Sequence, residues 1–244
     1  MIINFLEQNN NKMKKTHFFK KALPSLLVAV YSVFMFVLFF PFKKQTIAAT
    51  PPVKYNIVID AGHGGIDGGV SGVNTDARES DINLSIAKKL EKLVTNAGFN
   101  AVMTRDTSGG LYGVLSPGFK KRDMQKRKEI IEQSMPQAVI SVHLNSCNAK
   151  NRRGTMIYCK KGDEKGLKLA NAISAKFNES ESKSRNCSVF YGDYFILNVS
   201  PCPAVICECG FLSNAEDEKL LLTDSYRDYL AKTIWEGVLK YLSE

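Results

Sequence analysis

The sequence predicts an α/β fold over residues 53–244, a sheet with helices packed on its faces. Three observations carry that expectation. Apolar runs of strand length occupy 55–60, 138–142 and 204–209, amphipathic stretches of helical period lie between them, and glycines or prolines mark the changeovers.

In chain order, Pro51 and Pro52 close a linker, 43–52, and 55–60 reads as a buried strand running into a glycine-rich loop. Ile82, Ile86, Leu90, Leu93, Val94 and Ala97 then fall on one helical face, and Gly98 sits where such a helix stops. Residues 99–104 form the next strand, and a glycine-containing loop, 108–119, is long enough to border a site. A helix follows over 122–133, which Pro136 separates from the strand 138–142. Weaker strand signals lie at 155–158 and 194–197, with a helix at 166–177 between them. The strongly apolar strand 204–209 and a closing amphipathic helix, 226–242, complete one domain without internal repeats.

The first residues differ from the rest. Residues 22–42 are 21 positions without a charge, long enough as a helix to cross a bilayer core at ~1.5 Å per residue. Five lysines precede the run and two follow it, which places residues 1–21 in the cytoplasm and the domain outside. The reading preferred is an uncleaved transmembrane anchor. A signal segment cleaved near Ala48-Ala49 is the alternative, and both make the domain extracytoplasmic.

The net charge of +9 does not indicate a nucleic-acid partner. Seven lysines and one glutamate fall in residues 1–50, so the remaining chain carries only +3. The one basic cluster of the domain, 120–128, also contains Asp123 and reads as a solvated helix face, or else as a contact surface for anionic wall polymer.

The domain owns two histidines, His63 and His143, each directly after an apolar strand-like run. Ligand sites of open α/β sheets gather beyond the carboxyl ends of strands, so these imidazoles, 80 residues apart, are expected to converge on a metal. A catalytic zinc takes three protein ligands and keeps one position open for water. Glu79, just ahead of a helix, is the preferred third ligand; Asp67 and Asp76 are its rivals, with Asp67-Gly68-Gly69 reading rather as a turn. Glu208 interrupts the apolar run 204–209. A carboxylate there is costly unless paired, protonated or near a cation, which suits a general base and acid beside a metal.

Other chemistries find less support. Ala61-Gly62-His63-Gly64-Gly65 lacks the Lys-Ser or Lys-Thr of a phosphate loop, and no Gly-x-Ser-x-Gly elbow is present. The six cysteines form no C-x-x-C pair, and Cys207 and Cys209 read as small core residues facing away from Glu208.

Val58-Ile59-Asp60-Ala61-Gly62-His63-Gly64-Gly65, Glu79, Ser141-Val142-His143-Leu144-Asn145-Ser146 and Glu208-Cys209-Gly210-Phe211-Leu212-Ser213-Asn214 together resemble the zinc-dependent N-acetylmuramoyl-L-alanine amidases of the amidase-3 type. The resemblance runs from about residue 55 to 242. It implies a mostly parallel six-stranded sheet flanked by helices, zinc held by His63, Glu79 and His143, and Glu208 as the catalytic glutamate. The implied substrate is peptidoglycan, cut between N-acetylmuramic acid and L-alanine. One tethered domain without wall-binding repeats looks like the germination-specific, spore-cortex type, although a vegetative amidase shares that layout. A zinc peptidase of the stem peptide and a silent wall-binding module are the rival readings, and the need for an activating protein stays open.

Overall fold

The run Ile57-Val58-Ile59 has no polar side chain to turn towards water, and it forms the buried middle of strand β1 (Asn56–Ala61). Two further runs of the same character make β3 (Ala138–Asn145) and β6 (Ala204–Phe211). The computed structural model describes residues 55–180 and 186–244, with Tyr31 and Met35 as isolated helical positions. The chain divides into two units, Met1–Pro52 and Val53–Glu244. The expected membrane segment 22–42 and linker 43–52 thus lie, apart from Tyr31 and Met35, outside the described residues. Among the described residues no helix is long and apolar enough to cross a membrane.

The second unit is a six-stranded sheet in the order β2-β1-β3-β6-β4-β5, where β2 is Asn100–Met103, β4 Met156–Cys159 and β5 Ser188–Tyr191. β2, β1, β3 and β6 run parallel, while β4 is antiparallel to β6 and parallel to β5. The expected mostly parallel, helix-flanked sheet is therefore what forms.

Alternate residues of the central strands feed two cores. Ile57, Ile59, Ile140 and Cys207 pack with helices α1 (Glu79–Asn96), α3 (Glu164–Ser180) and α6 (Asp224–Ser243). Val58, Val139 and Ile206 face the opposite way, towards α2 (Phe119–Ser134) and the short α4 (Phe195–Val199). Such uniform burial on both faces is why these strands read as unbroken apolar runs. Gly237 brings α6 against α3, because a Cβ there would stand 2.4 Å from the Ile173 Cα.

Residues 194–197, expected as a strand, instead open α4. In that turn Asn198 N–H donates to the Tyr194 carbonyl, and Ile196 and Leu197 both reach the α2-side core. β5 and helix α5 (Ala215–Leu221) carried no expectation. α2 starts earlier than expected, at a left-handed Gly118 (φ 80°).

Candidate metal centre

β1 is the switch point of the sheet: β2 lies on one side and β3 on the other. Crevices of this kind open beyond the strand ends. Gly62 N–H still bonds the Val142 carbonyl at 3.0 Å, and then the chain turns sharply through His63 (φ 60°), Gly64 (φ 138°) and Gly65 (φ 63°). Gly62 must be glycine for a different reason: an added Cβ would lie 2.2 Å from His143 Nε2.

Two buried arginines fix that turn from below. Arg105 donates to the carbonyls of Ala61 (2.8 Å), Gly62 (2.9 Å) and Ser80 (2.8 Å). Arg127 donates to the carbonyls of Ala61 (2.8 Å) and His63 (2.6 Å) and pairs with Asp60 (2.5 Å) and Asp123 (2.7 Å). Asp60 also accepts from Thr104 (2.7 Å) and Ser141 (2.6 Å). Burial works against the Asp60 charge, but Arg127 and the two hydroxyls outweigh it and hold the carboxyl down at about 2. The basic cluster 120–128 is therefore not solvated throughout: Arg127 and Asp123 are buried under the loop, while Lys120, Lys121, Arg122 and Lys126 are exposed.

Above the turn, the loop leads into α1, whose first residue is Glu79. Its Oε1 accepts Leu144 N–H (3.0 Å) and Asn83 Nδ2 (3.1 Å) and lies 3.0 Å from His143 Nδ1. Its Oε2 accepts Val70 N–H (3.0 Å) and lies 3.3 Å from His63 Nε2. Burial opposes the Glu79 charge, yet hydrogen bonds with His143 and His63 prevail and hold the carboxyl far below the usual range. One donor atom each from His63, Glu79 and His143 lies within 4.8 Å of the other two.

The rivals for third ligand are placed elsewhere. Asp67 Oδ2 sits 3.1 Å from His63 Nδ1, behind the ring, where it orients the imidazole with Nε2 turned inward. Asp76 is exposed and outside the cluster.

Glu208 stands directly opposite His143 in the β3–β6 ladder. Cys207 and Cys209 point into the core on the other face, as the strand alternation requires. Burial raises the Glu208 pKa above the usual carboxylate value, with Glu79 adding to the rise and His143 and His63 opposing it. Its Oε2 is buried and has no hydrogen-bond partner among the described residues. A cavity of about 290 Å³ opens beside His63 and His143 and is lined by Tyr112, Phe119, Met124, Tyr194 and Ile206.

The donor set suits a borderline cation: two imidazoles and one carboxylate, with Asp67 behind His63 and three N–H donors on Glu79. The orphaned Glu208 oxygen agrees, since a buried carboxylate needs a cation, a proton or a water to satisfy it. Asp60, Arg105 and Arg127 carried no expectation. A lone Asp closing an apolar run was the signal for the first; nothing local marks the arginines.

Residues 57–240 match the model of the Amidase_3 family, N-acetylmuramoyl-L-alanine amidase, and the chain belongs to that family. It is an amidase that hydrolyses peptidoglycan. The germination-specific N-acetylmuramoyl-L-alanine amidase of Bacillus subtilis (strain 168) is 30% identical over 192 residues, covering 77% of this chain and 80% of the relative. The CwlD amidase of Clostridioides difficile, solved in complex with the GerS lipoprotein, superposes with a TM-score of 0.73 at 31% identity, covering 78% of this chain and 99% of that one. The catalytic domain of CwlV, an N-acetylmuramoyl-L-alanine amidase from Bacillus (Paenibacillus) polymyxa var. colistinus, gives a TM-score of 0.67 at 26% identity, with 78% and 98% covered.

Proposed function

We propose that the centre is a zinc site, that Glu208 is the proton carrier of amide hydrolysis, and that the chain acts outside the cytoplasm on spore cortex. The observation that carries the reading is the convergence of two imidazoles and a buried carboxylate beside Glu208, one of whose oxygens is buried without a hydrogen-bond partner among the described residues.

His63, Glu79 and His143 would hold the ion, and when bound it supplies Lewis acidity towards the scissile carbonyl and makes water more acidic. Glu208 takes the proton from the attacking water and later hands it to the departing L-alanine nitrogen. Its burial suits both tasks, because a carboxyl pushed up by burial is a stronger base towards the water and a group that can carry the proton on to the leaving nitrogen. Asp67 keeps the His63 ring oriented, and Arg105 and Arg127 hold the turn that carries it.

The name of the Bacillus subtilis relative supports a role in germination, and the complex formed by the Clostridioides difficile relative supports a lipoprotein as partner. The charge-free stretch 22–42 behind its lysines supports a layout of cytoplasmic 1–21, anchor or signal 22–42, linker 43–52 and catalytic 53–244.

Digesting purified peptidoglycan with the zinc-loaded protein and identifying each newly exposed end tests the reading. New L-alanine amino-termini are the expected result. Ends within the stem peptide would identify a peptidase instead, and intact wall in the presence of folded, zinc-loaded protein would make this a binding module.

A further inference from the structure

Beside Glu208, beginning on the neighbouring strand, lies a group of aromatic rings that the hydrolysis itself does not use. Tyr158 on β4 faces Ile206 across the antiparallel β4–β6 ladder and shares a core with it, so it sits on the sheet face to which Ile206 and Glu208 both point. Phe190 of β5 packs against it with ring centroids 5.6 Å apart and a 33° tilt. Tyr194 meets it edge-on at 5.3 Å. The Glu208 charge reaches both phenols.

These rings are pre-positioned but not covered. Phe190 is 37% exposed and Tyr194 41%. Gly192 lets them settle on bare backbone, because a Cβ there would lie 2.4 Å from Tyr194 Cε2 and 3.2 Å from Tyr158 Cδ1. An exposed apolar group of this kind, rimming a reactive centre, marks a contact surface. Rings with two side-chain torsions, already fixed by neighbours, lose little freedom on binding.

We propose that Tyr158, Phe190 and Tyr194 form a platform on which a pyranose ring of the glycan strand stacks. The inference rests on the amidase reading. The scissile carbonyl belongs to a lactyl group joined by an ether to the sugar's third carbon, so the muramic ring must lie next to Glu208 during reaction. A pyranose presents a face of C–H bonds to an aromatic quadrupole, which uncharged rings satisfy and a carboxylate-bearing stem peptide does not. The platform assigns the β4–β5 side of the site to sugar.

Binding without turnover tests this. The zinc-loaded full chain bearing Glu208→Gln is titrated calorimetrically with peptide-free glycan strands of alternating N-acetylglucosamine and N-acetylmuramic acid. Phe190→Ala and Tyr194→Ala should each weaken binding by roughly tenfold, while Phe190→Tyr and Tyr194→Phe keep most of it. Unchanged zinc content and circular dichroism show that the variants are folded. The platform is overturned if the parent does not bind the strands or the alanine variants bind them as the parent does. It is equally overturned if the loss appears only towards sugar-free stem peptide. Failure of the amidase reading would show separately, as no new L-alanine ends from protein with Glu208 intact.

Discussion

Glu208 and His143 are directly opposed across the β3–β6 ladder, one strand carrying the proposed proton carrier and the next a proposed ligand. Their separation is therefore set by the sheet rather than by mobile loops. Glu208→Gln keeps the shape and removes the charge. Zinc content measured by mass spectrometry should stay at the parent's level while release of L-alanine amino-termini falls by ~10²–10⁴-fold. Normal turnover in this variant would dismiss Glu208 as the base.

Glu79 is the one proposed ligand that contributes a negative charge, and it is 2% exposed with both oxygens turned to imidazoles. Glu79→Gln should cost more zinc affinity than the roughly 10–100-fold typical of an outer-shell partner. In the parent, zinc at ~100 times its dissociation constant should add about 2.7 kcal/mol to stability. A thermal shift of equal size in Glu79→Gln would remove this residue from the centre.

Gly62 adds no chemistry of its own, yet a methyl group there would occupy the space of the His143 ring. Gly62→Ala should leave a folded protein, because the three atoms nearest the added methyl all belong to the His143 ring, but one that competes poorly with a chelator for zinc. Retained affinity would mean that the imidazole has a second acceptable position.

Asp60 connects stability to acid. Its folded-state carboxyl is held near 2 against an ordinary 3.8, so in falling pH the unfolded chain takes up the proton first. The stabilisation is complete above about 3.8 and disappears as pH drops through about 2. Asp60→Asn should cost about 3 kcal/mol at neutral pH, since Arg127 loses one of its two buried partners. Denaturant unfolding across that acid range should show the gap between parent and variant closing. A constant gap would mean that Asp60 acts through packing rather than charge.

The three central strands were legible because burial on both faces leaves no polar residue to confuse the pattern, and helices α1 and α6 because each shows one apolar stripe. α4 was misread for a physical reason. Tyr194-Phe195-Ile196-Leu197 is rich in residues favoured by strands and too short to display a helical period. β5 was invisible because three of its four residues are exposed, as befits an edge. α5 carried no expectation although Asn214, a residue type favoured at helix starts, precedes it; in the structure its side chain accepts from the N–H groups of Glu216 and Asp217. In the site, His63, His143 and Glu208 stood out as polar residues against apolar runs. Glu79 was preferred to Asp67 and Asp76 for its place just ahead of a helix, but spacing alone does not decide which carboxylate points inward; the fold does. The arginine clamp was hidden by its setting, since Arg127 sits among lysines that do face water.

The left-handed backbone at His63 restricts how this centre could change its ion. Most side chains resist that conformation, β-branched ones most of all, whereas His, Asn and Asp tolerate it. An engineer seeking a harder, oxygen-rich centre therefore has an open door at this position in His63→Asp. A softer centre built on thiolate would do better to start at His143, where the extended strand imposes no such filter.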